Sequence, residues 1–111
     1  MNIEKGKIGE DVACGYLQEK GLKLLKRNYR TPYGEIDLIM RDGNVLVFVE
    51  VKYRTSDHWG DPLESVNRRK QYKIQSVADH YLYCYGTNSL CRFDVVGILK
   101  DEINWVKGVF S

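Results

Sequence analysis

The stretch from Gly34 to Lys52 constrains this chain more than any other. Two β-rich runs, apolar for most of their length, flank the dipeptide Asp42-Gly43 and carry charges at their far end. Asp-Gly suits a two-residue type I′ turn because both residues tolerate positive φ. Taking Asp42-Gly43 as that turn sets a register. Arg41 faces Asn44, Met40 pairs Val45, Ile39 pairs Leu46, Leu38 pairs Val47, Asp37 pairs Phe48, Ile36 pairs Val49 and Glu35 pairs Glu50. Opposed residues share a face, and faces alternate along each strand. One face is therefore Ile36, Leu38, Met40, Val45, Val47, Val49 and Val51. The other is apolar beside the turn (Ile39, Leu46, Phe48) and charged at the open end (Glu35, Asp37, Glu50, Lys52). Charges inside a sheet are expensive to desolvate, so this group needs partners, a metal ion or a chemical task.

The flanking segments complete a fold. Residues Glu4–Lys20 predict a helix, with Ile8, Val12, Ala13, Tyr16 and Leu17 at helical spacing and Gly21 beyond its end. Gly6, Gly9 and Ala13 form a strip of small residues that lets this helix sit close to a sheet, with Glu10 on its flank. Leu22–Arg30 reads as a strand, Thr31–Gly34 as a turn, and Glu35–Arg41 and Asn44–Arg54 as the hairpin strands. The second of these is apolar on both faces for most of its length, as a central strand is. Thr55–Gly60 is a polar loop. Asp61, Pro62 and Glu64 then carry the N-cap, N1 and N3 signals of a helix running to about Tyr83, with Ile74, Val77, Ala78, Tyr81 and Leu82 inward and Gly86 after its end. Cys91–Leu99 and Ile103–Val109 are further strands. The order α-β-β-β-α-β-β predicts an α/β (α+β) fold, with a mixed central sheet of about five strands flanked by helices, in one domain over residues 1–111.

Composition narrows the function classes. No apolar run approaches the roughly 20 residues that span a bilayer. The start, Met1 to Gly6, lacks a signal-peptide core, so a cytoplasmic protein without a membrane partner is expected. Three cysteines without framework spacing fit a reducing compartment, and His80, Cys84 and Cys91 lack the fourth ligand of a zinc site. The net charge is only +2, so distribution matters more than the sum. Lys20, Lys23, Lys26, Arg27 and Arg30 form one basic cluster, Lys52 and Arg54 a second, and Arg68, Arg69, Lys70 and Lys73 a third. Converging on the carboxylates, they would line a groove for a polyanion, with Arg30 and Arg54 as nucleic-acid contacts; separately, they are solvated faces. Tyr29, Tyr33 and Tyr53 lie nearer the charged end as candidate stacking residues, whereas Tyr72, Tyr81, Tyr83 and Tyr85 read as core or interface.

The charged end has its own chemistry. In the expected register Asp37 and Glu50 are diagonal neighbours, roughly 7–8 Å apart at the backbone, and can converge on one divalent ion. Their hard oxygens suit Mg²⁺ or Mn²⁺. Lys52, two residues from Glu50 and on the same face, can orient a water or offset negative charge at a phosphoryl group. Metal-assisted phosphodiester hydrolysis uses every part of this set. The alternative is a structural charge cluster, in which Glu35 and Glu50 share the Lys52 ammonium. Asp94, alone in its strand, reads equally well as a structural hydrogen-bonding residue.

Asp37, twelve intervening residues and then Glu50-Val51-Lys52 resemble the PD-(D/E)XK nuclease signature, although Ile36 stands where the signature has proline. More narrowly, the chain resembles the YraN-like family of small bacterial proteins, related in fold to Holliday-junction resolvases. The likeness rests on Gly9-Glu10-Asp11, Arg27-Asn28-Tyr29-Arg30, Gly34-Glu35-Ile36-Asp37-Leu38-Ile39, Val47 to Lys52, Lys70-Gln71 and Arg92-Phe93-Asp94-Val95-Val96. It implies a restriction-endonuclease-like fold and a Mg²⁺- or Mn²⁺-dependent endonuclease acting on DNA, including branched or structured DNA. Asp37, Glu50 and the Val51 carbonyl would ligate the metal, Lys52 would be the catalytic lysine and Glu10 an accessory acid. Lys70 and Gln71 would approach the site or the nucleic acid from the second helix, and a homodimer would follow by analogy. The other reading is a nucleic-acid-binding or assembly protein that keeps the nuclease fold without catalysis.

Overall fold

The computed structural model describes the backbone of residues 2–54, 68–85 and 90–109, and the side chains of all of these except 2–6 and 54. Five strands form one mixed sheet in the order β1-β2-β3-β4-β5: β1 (Lys23–Thr31), β2 (Gly34–Asp42), β3 (Val45–Arg54), β4 (Leu90–Leu99) and β5 (Glu102–Val106). Helix α1 (Asn2–Glu19) packs on one face and α2 (Arg68–Tyr85) on the other. The pairing of β3 with β4 is parallel and all others are antiparallel, so the chain crosses over between β3 and β4, as a parallel pair requires. The expected α+β architecture and element order are those observed. The expected loop at Thr55–Gly60 with His58 and Trp59, the helix start at Asp61–Glu64 and the stop at Gly86 lie outside the described residues.

Helix α1 ends as its sequence requires. Gly21 has φ +99° and donates to the Gln18 carbonyl, while Leu22 N donates to Leu17 O at 3.0 Å. These are the two bonds of a Schellman motif, and Leu17 and Leu22 share the core beneath it. The inward stripe is Gly9, Ala13, Cys14 and Leu17; Ile8 and Val12, expected inward, are exposed. The cause is the small-residue strip. Gly9 sits so close to Tyr53 that a Cβ there would lie 2.9 Å from the tyrosine Cβ. The helix docks through its smallest face, which turns the bulkier flank out.

The hairpin departs from its expected register by two residues. Asp42 pairs Val45, Met40 pairs Val47 and Leu38 pairs Val49, leaving Gly43-Asn44, not Asp42-Gly43, as the turn. Gly43 has φ +60° and Asn44 does not take positive φ, the pattern of a turn with glycine at its first central position. A two-residue shift preserves side-chain parity. Leu38, Met40, Val45, Val47, Val49 and Val51 therefore still face α1, and Ile39, Leu46 and Phe48 still face α2 with Ile74, Val77, Ala78 and Tyr81. Ile36 is the exception: it packs on the α2 side. The pairs Arg27–Leu38 and Tyr29–Ile36 bracket Asn28, whose φ of +52° kinks β1 at this point. Here β2 remains paired with β1 but leaves β3 after Leu38–Val49.

Candidate functional site

The parting of β2 from β3 opens the site. Asp37 is the first β2 residue past the last pair with β3, and its carboxylate substitutes for a backbone partner. Asp37 Oδ2 accepts a hydrogen bond from Val51 N at 2.8 Å. Continued past its last pair, the observed register sets Asp37 opposite Glu50 instead of diagonal to it. The resulting cleft of about 350 Å³ is lined by Gly34, Glu35, Asp37, Glu50, Val51, Lys52, Lys70, Lys73 and Ile74. Strand β3 supplies its floor and α2 its roof.

Central position fixes the acid on the floor. Paired with Val95 of β4, Glu50 is only 8 % exposed. Burial raises its carboxyl above the usual range, while Lys70 and Lys52 pull it down. Lys70 Nζ, from α2, lies 3.5 Å from Glu50 Oε2. Asp37 is pushed up to about 7, first by burial and then by the Glu50 charge; the bond from Val51 opposes the shift, and Glu10 and Glu35 add to it. Lys52 is lowered to about 8, by burial and then by the adjoining Lys70, against the attraction of Glu50 and Asp37. Two carboxylates thus crowd one another in a partly dry cleft, with two lysines opposite them. Perturbation of this kind, in a cleft, marks functional sites more often than plain surfaces.

The other expected residues divide. Glu35 lines the cleft but bonds Arg30 Nε at 3.0 Å on the neighbouring strand, not Lys52. Glu10 lies on the α1 side, 3.5 Å from Arg27, and acts on Asp37 through its field. Gln71 follows Lys70 but does not line the cleft, and the Arg54 side chain lies outside the described residues. Arg30 is highly exposed. Of the basic stretch 20–30, Arg30 pairs with the lining acid Glu35, whereas Lys20 covers Tyr16, Lys26 covers Tyr85 and Arg27 pairs with Glu10 and Asp11. Tyr29 is a packing residue, hydrogen-bonded to His80 at 2.7 Å and edge-on to Tyr81, and Tyr53 seats α1. Tyr33 is exposed as a stacking residue would be; of the tyrosines expected in the core or at an interface, Tyr81 is buried and Tyr72 and Tyr83 are exposed. Of the third basic cluster, Lys70 and Lys73 do line the cleft, as the converging reading expects. Their three-residue spacing, on one helix face, was the available signal.

Asp94 resolves as structural. Its buried carboxylate accepts bonds from Arg92 Nε and Nη2, Trp105 Nε1 and Gly108 N, between 2.9 and 3.1 Å. Arg92 continues to Asp42 at 3.1 Å, tying the hairpin end of β2 to β4 and β5.

Residues 9–98 match the profile of the uncharacterised protein family UPF0102. The chain belongs to this family. The UPF0102 match runs from the α1 docking glycine to the end of the β4 core and includes every residue lining the cleft. The UPF0102 protein of Shewanella amazonensis is 45% identical over 108 residues, covering 97% of this chain and 100% of that one. Those of Nitrosococcus oceani and Thermodesulfovibrio yellowstonii are 46% and 45% identical, covering 96% and 97% of this chain and 91% and 96% of their own. The YraN-like resemblance of the motifs is thus a full-length UPF0102 relationship.

Proposed function

We propose that this UPF0102 protein is a divalent-metal-dependent endonuclease, hydrolysing phosphodiester bonds in DNA, with branched or structured DNA as the substrate class. One observation carries the reading: Asp37 and Glu50 are held together in a cleft whose remaining charges are mainly lysines, and burial raises both carboxyls despite those lysines. The donor set fits Mg²⁺ or Mn²⁺, which takes one or two carboxylates and otherwise oxygen ligands. Asp37, Glu50 and the Val51 carbonyl would hold the ion. When bound, it would supply Lewis-acid stabilisation of charge developing on phosphoryl oxygens. Lys52, with its pKa near 8, keeps its proton at neutral pH yet holds it loosely. It orients the attacking water and offsets charge at the reacting phosphate. Lys70 and Lys73 give the roof the sign a phosphate backbone needs. A homodimer belongs to the same proposal, by analogy with resolvases.

One observation favours the alternative of a nucleic-acid-binding protein without catalysis. Lys70 already supplies Glu50 with a counter-ion, and among the described residues no group of three or more His, Cys, Asp or Glu side chains is placed to hold a metal. The two readings part experimentally. Mn²⁺ binding weakens at least about tenfold in Asp37→Ala and Glu50→Ala on the endonuclease reading, in the range for lost metal-site contacts. A panel of branched and linear DNAs is then cleaved in Mg²⁺ or Mn²⁺ by the wild-type protein and not by Lys52→Ala. Metal binding with no cleavage of any substrate favours the binder; unchanged Mn²⁺ affinity in both acid variants refutes the metal site.

A further inference from the structure

The Lys70–Glu50 contact joins two unequal partners. Glu50 projects from the central strand β3, and its side chain is 10% exposed. Pairing of β3 with β4 at this position and burial leave it little room to turn. Lys70 projects from α2 on a flexible four-carbon stem, with 34% of its side chain exposed. If either partner moves, it is the lysine. Lys70 is also close enough to disfavour the charge on Lys52. The cleft lining therefore sets three carboxylates (Glu35, Asp37 and Glu50) against three lysines (Lys52, Lys70 and Lys73). A divalent ion at the carboxylates would stand within a few ångströms of the Lys70 ammonium, and like charges at that range repel strongly in a partly buried site.

We propose that Lys70 is an exchangeable internal counter-ion: it holds Glu50 in the metal-free protein, leaves when a divalent ion enters, and then engages a phosphate of the nucleic acid beside Lys73. The inference rests on the metal site proposed above and deepens it. The destination follows from α2, where Lys73 stands one turn on and lines the same cleft. Two ammonium groups at that spacing, beside a site that has gained positive charge, attract a polyanion. Metal and nucleic acid then bind with positive coupling, and linkage makes the coupling reciprocal.

The test is a Mn²⁺ titration, read from the electron paramagnetic resonance signal of free Mn²⁺, of the full chain and its variants. Lys70→Met keeps the length and helix-forming character of the side chain without its charge. It is expected to bind Mn²⁺ about tenfold more tightly than wild type, within the usual range of site-to-site couplings. Lys70→Arg retains wild-type affinity, and adding Asp37→Asn to Lys70→Met abolishes the gain. In a Lys52→Ala background that prevents cleavage, Mn²⁺ strengthens duplex binding several-fold, and Lys70→Met removes that increment. Equal or weaker Mn²⁺ affinity in Lys70→Met overturns the exchange while leaving the metal site standing. An undiminished Mn²⁺ effect on duplex binding in that variant overturns the phosphate role. No Mn²⁺ binding by any of the proteins overturns the metal site itself, and the exchange with it.

Discussion

Two aspartates in this sheet show how one residue type serves two ends. Asp94 is surrounded by donors and accepts from Arg92, Trp105 and Gly108, so its charge is fully used within the fold. Asp37 has one backbone donor and feels three carboxylates (Glu50, Glu10 and Glu35), so its charge is opposed. Removing Asp94 leaves Arg92 without its bidentate partner and strands the Trp105 and Gly108 donors. Asp94→Ala is expected to lower unfolding stability by about 3 kcal/mol, at the lower end for a broken buried ion pair because Arg92 keeps Asp42. Urea denaturation followed by tryptophan fluorescence reads the loss, and Mn²⁺ affinity stays unchanged. Sequence left Asp94 open between a structural hydrogen-bonding role and chemistry, and the structural role is the one observed. Its partners come from β4, β5 and the segment after β5, so no local pattern distinguishes it from Asp37.

At the scale of elements, two glycines of α1 make opposite demands. Gly15 has nothing within 4 Å of an added Cβ, so Gly15→Ala is expected to stabilise by about 1 kcal/mol through helix propensity alone. Gly9→Ala gains the same propensity but sets its methyl 2.9 Å from the Tyr53 Cβ, too close for either backbone to absorb without shifting. Overpacking costs about 1–3 kcal/mol, so the clash wins and the variant melts lower. Thermal melts of the two variants should therefore move in opposite directions. The small-residue strip was legible in the sequence, but which glycine meets the sheet was not. The hairpin teaches the same lesson. Its faces were readable because strand period is two, while its pairs were displaced because both Asp42-Gly43 and Gly43-Asn44 are acceptable turns by local chemistry. Packing of β3 between β2 and β4, and the Arg92–Asp42 bond, accompany the second choice. The break at Asp37 coincides with a positive φ at Asn28, a residue of another strand, which no pattern within β2 reveals.

For the molecule as a whole, the crowded carboxylates set a dependence on pH. Asp37 titrates near 7 in the folded chain against 3.8 for its ordinary value, so between these values the native state holds more protons than the unfolded one. Stability of the metal-free protein then falls as pH rises from about 4 to about 7, the reverse of the contribution from a salt-bridged carboxylate. Asp37→Asn, which can still accept from Val51, removes this term. It is expected to melt higher than wild type at pH 8 without metal, roughly 4–8 °C for each kcal/mol relieved, and to show no advantage at pH 4. Mn²⁺ should raise the wild-type melting temperature at pH 8 and leave that of Asp37→Asn unmoved. Equal melting of the two proteins across this range would show that the carboxylates do not compete.

The sequence by itself determined the element order, the two apolar faces of the sheet and the presence of Asp37, Glu50 and Lys52 at one end of it. These follow from periodicity and spacing, which are properties of a strand or helix alone. Only the tertiary structure decided that β2 leaves β3 at Asp37, that Glu10 is tied to Arg27, and that Lys70 and Lys73 close over the carboxylates while Lys20, Lys26 and Arg27 turn elsewhere. The reason is physical. Charges select partners by distance and desolvation, and both are set by how α1, α2 and the strands stack, not by the order in which the residues are joined.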